Sequence, residues 1–187
     1  MKVNKIDYET GCQWLLPVSE AENELLRFEG ATRAGNWRPL RMKHIERLDS
    51  KGPRLTKRCD FPCAGSSGKL ALNGLARDKI GALLERCGEL LPIVAEGDEP
   101  YWVLNVTRLV DALDEAKTEF LRASKTGRVL SIKRHVFEPD ALVGEQLFKL
   151  PQTPQGLIYA TDAFVEAIKA SGLTGLDFRP IWELKSN

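Results

Sequence analysis

The chain has 187 residues, 27 Lys and Arg against 26 Asp and Glu, a net charge of +1 and 43% apolar residues. That size suits one domain, or one domain with an N-terminal extension, whose core needs neither metal nor disulfide to hold it. Balanced charge argues against a nucleic-acid binder, and no apolar run approaches the roughly 20 residues that cross a bilayer.

Met1 to Tyr8 has no apolar signal core and soon meets acidic residues, so cytoplasmic residence is expected. Cys12, Cys59, Cys63 and Cys87 fit no secreted disulfide framework, and in a reducing compartment all four are expected as free thiols. Cys12 to Val18 alternates in places and predicts one or two edge strands in residues 1–29, Pro17 favouring an edge or a strand end. Residues 49–69, with Gly52-Pro53 and Gly65-Ser66-Ser67-Gly68, read as a long irregular connection. This divides the chain into N-terminal strands and an irregular segment, residues 1–59, packed on a core of residues 60–187.

Asn73 is a cap for a helix whose stripe is Ala76, Ile80, Leu83, Leu84 and Cys87, with Gly88 as its C-terminal stop. Two apolar runs, Leu90 to Ala95 and Tyr101 to Val106, flank the acidic turn Glu96-Gly97-Asp98-Glu99. Residues 107–137 allow one long helix, or a short helix from Thr107 to Asp114 followed by a hairpin turning at Lys125-Thr126-Gly127. Gln146 to Leu150 is a further short strand. A last helix opens at Thr161-Asp162 and ends near Ser171-Gly172. Leu70–Ile93 and Leu157–Trp182 both read as strand, helix, glycine, strand with a proline, a module written twice. The expected fold is α+β, a mixed and largely antiparallel sheet with a few packed helices.

Catalytic signals are thin. Cys59 and Cys63 supply half of a tetrahedral zinc set, and no second pair follows, so no metal is expected. His44 and His135 pair with no evident nucleophile and read as surface or edge-strand residues, and Gly65 to Lys69 lacks the spacing of a phosphate loop. Trp102 and Trp182 read as core; Trp14 and Trp37 either pack the N-terminal part onto the core or stand exposed for binding. The acidic turn is explained by solvation, or by contact with a basic partner.

In order, Phe28-Glu29-Gly30, Trp37-Arg38-Pro39, Cys59-Asp60-Phe61-Pro62, Gly88 to Ile93, Tyr101 to Val106, Leu113-Asp114, Phe148-Lys149-Leu150, Ile158 to Asp162 and Gly175 to Trp182 make up a recognisable string. It resembles the eleventh immunity-protein family of bacterial polymorphic toxin systems, though Thr118 stands where a Ser is expected. The resemblance implies a non-enzymatic, cytoplasmic antitoxin, monomer or homodimer, without cofactor, nucleic acid or membrane. Its partner would be a cognate toxin of the kind delivered by type VI secretion. It also favours the hairpin over the long helix. Asp98, Glu99, Tyr101 and Trp102, with Trp37, are the expected toxin-binding residues. The alternatives are a small-ligand-binding regulatory module, or an enzyme using scattered carboxylates or Cys63.

Overall fold

A computed structural model describes residues 1–47, 51–52, 54–65 and 69–184. Asn73 caps the longest helix as expected, its side chain accepting from the Ala76 N–H at 2.9 Å. That helix, Gly74–Glu85, buries Ala76, Ile80, Gly81 and Leu84. A second helix, Asp162–Ser171, buries Phe164, Val165 and Ile168, and ends on Gly172 at φ 66°, a left-handed cap that glycine adopts without strain.

In chain order the elements are β1 (Lys2–Tyr8), β2 (Trp14–Pro17), α1 (Glu20–Leu25), β3 (Leu40–Ile45), β4 (Cys63–Ala64), β5 (Lys69–Leu72), α2 (Gly74–Glu85), β6 (Gly88–Val94), β7 (Pro100–Val106), β8 (Glu119–Arg122), β9 (Val129–Arg134), β10 (Leu147–Phe148), β11 (Tyr159–Thr161), α3 (Asp162–Ser171) and β12 (Leu176–Glu183). The fold is α+β. Six strands, β2-β3-β6-β7-β5-β4, close into a barrel, and β10-β11-β1-β12 form a separate four-stranded sheet. Most pairs are antiparallel; β2 with β4 and β3 with β6 are parallel. In both strand–helix–strand segments the two strands flank a third antiparallel one, β7 between β5 and β6, and β1 between β11 and β12.

Among the described residues, three apolar clusters result. Leu15, Phe28, Met42, Leu91 and Tyr101 fill the barrel. Leu70, Leu72, Leu104 and Val106 turn outward against α2 and α3, joined by Phe61, Ala160 and Leu176. Val3, Phe137, Phe148 and Tyr159 build the third on the other side of the four-stranded sheet.

Several expectations are corrected. β1 is no edge strand: it pairs with β11 on one side and β12 on the other. Residues 107–114 form no helix; isolated bridges from Leu109 to Lys149 and from Leu113 to Phe137 hold them extended instead. The hairpin beyond them is present as β8–β9. Gly88 does not cap α2, whose C-cap is Arg86, but opens β6. The 49–69 connection falls partly outside the described residues; its described part is tied down by Gln13 N–H to the Lys57 carbonyl (2.9 Å) and Phe61 N–H to the Thr174 carbonyl (3.0 Å). Between the two options open for Trp14 and Trp37, the structure leaves both rings half-buried, their N–H groups donating to the carbonyls of Gly65 and Pro92.

The cysteines also depart from expectation. Cys12 and Cys59 form a disulfide across 47 residues of chain, leaving Cys63 and Cys87 free and buried. Closing a loop of that length stabilises by about 4 kcal/mol in the chain-entropy account. Glu9, Cys12 and Cys59 gather donor atoms within 4.8 Å, yet the sulfurs are bonded to one another and Glu9 accepts from Lys57 and the Gly175 N–H. Alkylation of air-purified protein should therefore label no cysteine quickly when native. After denaturation without reductant it should label two, Cys63 and Cys87, and after reduction all four. Four labels before reduction would show that the Cys12–Cys59 bond does not form.

Candidate binding surface

The acidic turn lies at the tip of the β6–β7 hairpin, closed by the Ala95 N–H donating to the Glu99 carbonyl at 2.9 Å. Gly97 and Asp98 both take positive φ there, which aims the Asp98 carboxylate outward. Its charge is answered within the chain, because Arg41 lies 3.4 Å from Asp98. Glu99 likewise accepts from Arg58 at 2.6 Å, and this contact holds the guanidinium pKa above its usual value. Exposed pairs of this kind are worth about 0–1 kcal/mol, but a basic partner would have to displace both arginines.

The aromatic residues expected beside the turn do not share its surface. Tyr101 is 2% exposed, part of the barrel core, with its hydroxyl accepting from Gln13 Nε2 at 3.0 Å. Trp102 faces the opposite side of β7, half-buried against the helix layer with the Arg77 guanidinium 4.4 Å from its ring centre. Trp37 packs on the barrel cluster, 6.1 Å from the Phe28 ring. Asp98 and Glu99 thus share the hairpin tip, while Tyr101 lies in the barrel core and Trp37 and Trp102 are half-buried.

Catalytic alternatives fare no better among the described residues. Cys63 is buried and burial drives its thiol far above the ordinary range, so it carries no thiolate at neutral pH. His135 is half-buried just past the end of β9: its ring stacks on Phe137, its Nε2 lies 3.0 Å from the Tyr159 hydroxyl, and burial lowers its pKa. His44 sits half-buried on β3 opposite Leu15. No hydrogen bond joins either ring to a Ser, Thr or Cys side chain among the described residues.

The exposed feature that sequence reasoning passed over is the β8–β9 ribbon. Its root is fixed by Thr118, whose hydroxyl and Val136 backbone exchange bonds at 3.2 Å, and by the Asp114 N–H donating to the Val136 carbonyl at 2.9 Å. Phe120 and Ile132 lean on the third cluster, whereas Leu121 and Leu130 stand 42% and 50% exposed. Residues 117–134 carry six cations, Lys117, Arg122, Lys125, Arg128, Lys133 and Arg134, against the single carboxylate of Glu119. Arg134 is paired with Glu119 at 2.8 Å and Lys117 with Asp114 at 2.6 Å. Arg122 lies 4.7 Å over the Phe120 ring and donates to the Gly127 carbonyl. The cation density around Lys125-Thr126-Gly127 was the available signal.

The chain is thus an α+β barrel-and-sheet protein in which one ribbon combines two exposed leucines with a cluster of cations. Residues 95–183 match the family model of the immunity protein family Imm11, a stretch that contains β7, the whole ribbon, the four-stranded sheet apart from β1, and α3. No curated protein matches the chain.

Proposed function

We propose that this protein binds and neutralises a cognate toxin without chemistry of its own, and that the β8–β9 ribbon is the element that reaches the toxin. The observation that carries the reading is the coincidence of the family match with the ribbon's exposed leucines and cations. Exposed apolar groups ringed by Arg are the usual anchors of an interface, and tight inhibition needs about 800 Å² on each side. A basic ribbon fits a toxin with an acidic docking face. The hairpin tip at Asp98 and Glu99, with Trp37 and Trp102 behind it, is the competing surface.

The toxin gene is sought beside that of this protein, and the two products are co-purified. Replacing Lys125, Arg128 and Lys133 by Glu should weaken the complex at least about 100-fold, while the melting temperature stays within about 2 °C of wild type. Asp98→Ala, Glu99→Ala and Trp37→Ala should leave affinity unchanged. The reverse pattern would move the interface to the hairpin tip, and a toxin indifferent to the protein would sink the function itself. The ribbon's charge also favours a nucleic-acid reading, which predicts salt-sensitive binding to a duplex oligonucleotide.

Cytoplasmic residence, with a toxin delivered there by type VI secretion, belongs to the same proposal. The Cys12–Cys59 bond works against it, since cytosolic thiols stay reduced. Thiol trapping in intact cells decides between them: a protected Cys12–Cys59 pair places the protein, and the toxin it meets, in an oxidising compartment.

A further inference from the structure

Between the barrel and the four-stranded sheet lies a cavity of about 280 Å³. Tyr8 of β1, Leu70 of β5, Leu104 of β7 and Ile158 ahead of β11 line it, together with two lysines, Lys69 and Lys149, and no carboxylate. Lys69 is 7% exposed and its side chain has no hydrogen-bond or ion-pair partner among the described residues. Lys149 is 2% exposed and donates to the carbonyls of Phe28 at 2.7 Å and Pro154 at 2.8 Å. That uses two of its three donors. Burying an ammonium is costly, and two beside one apolar cavity compound the cost through mutual repulsion. Burial and the charge of Lys69 together push the Lys149 pKa down to about 8.

We propose that this cavity binds a small amphipathic anion, a carboxylate on an apolar body, with its head between Lys69 and Lys149. The charge comes from Lys69, to which no described residue offers an acceptor, and from the remaining donor of Lys149. The apolar walls of Leu70, Leu104 and Ile158 take the body. The volume has room for about nine water-sized groups, which sets the ligand near the length of a medium-chain fatty acid.

Octanoate is the probe, titrated calorimetrically into the full chain at pH 7 with octan-1-ol as its neutral isostere. Octanoate should bind at least about tenfold tighter than octanol, and Lys69→Met should erase that preference while leaving octanol unaffected. Equal affinity for the two, no heat from either, or an octanoate affinity untouched by Lys69→Met would overturn the proposal. A second measurement needs no variant. In the wild-type chain with ¹³C-labelled lysine, saturating octanoate should move the titration midpoints of the two buried lysine ε-carbons to higher pH, and midpoints that stay in place would refute the site equally.

Discussion

Gly88→Ala should lower the melting temperature by roughly 6–12 °C, the consequence of a destabilisation of about 3 kcal/mol in a chain of this size. A Cβ built at Gly88 would stand 2.0 Å from the Asn105 carbonyl oxygen and 2.8 Å from the Val106 Cα, both backbone atoms of the adjoining strand. No side chain can swing aside there. Relief requires β6 and β7 to part where Gly88 faces Val106, at the point where the Cys87 carbonyl also receives the N–H groups of Thr107 and Arg108. Gly81→Ala supplies the opposite sign. Its Cβ would meet only the Arg77 Cγ at 3.4 Å and the Leu90 Cδ1 at 3.7 Å, ordinary contacts within a helix. Alanine there should raise stability by about 0.5–1 kcal/mol through helix propensity. Thermal melts of both variants check the pair, and a Gly88→Ala protein as stable as wild type would mean that β6 and β7 part there at little cost.

Lys149 should make stability rise with pH over a defined window. Its pKa is held at about 8 by burial and then by the charge of Lys69, against about 10.4 in an unfolded chain. Below pH 8 the lysine is charged in both states and the native state bears the full penalty of burying it. As pH climbs from about 8 to 10.4 the native form sheds its proton first, the unfolded chain binds more protons, and stability increases. The gain amounts to about 3 kcal/mol, because each pH unit between the two pKa values contributes about 1.36 kcal/mol. Other buried groups push the opposite way. Burial raises the pKa of Cys63, Cys87, Tyr8 and Tyr159, so their unfolded forms ionise first and withdraw stability above about pH 8.5. Lys69, lowered by burial, adds to the effect of Lys149. The readout is therefore the difference between wild type and Lys149→Met in urea unfolding at pH 7.5 and pH 10. That difference should shift toward the wild type as pH rises, and a constant difference would show that Lys149 titrates normally.

Much of the fold could be read in the chain because it is written locally. The Asn73 cap, the apolar stripe of α2, the Gly172 stop and the turn at Lys125-Thr126-Gly127 each depend on residues within a few positions of one another. Tyr101 shows where such reading ends. Tyr101 to Val106 is an almost continuous apolar run, since β7 is covered on both faces, by the barrel interior and by α2 with α3. Alternation then no longer separates a surface aromatic from a core one, and Tyr101 passes for an interface anchor. Gly88 does punctuate the chain, but for a reason outside its own helix: it answers to Asn105, on the neighbouring strand. Lys69 and Lys149 stand inside apolar strand runs, and only the cavity between the two β-systems shows that they meet.

By itself the sequence determined α2 and α3, the two hairpins, the α+β class and the string of segments from Tyr101 onward that carries the family match, but not α1. Tertiary structure alone decided that β1 lies at the centre of its sheet, that Trp14 and Leu15 meet Cys63 and Ala64 to close the barrel, and that Cys12 finds Cys59. The division follows from range. Helix caps and tight turns satisfy backbone groups with near neighbours, whereas pairings across about fifty residues or more repay their loop-closure entropy only when the whole core forms at once.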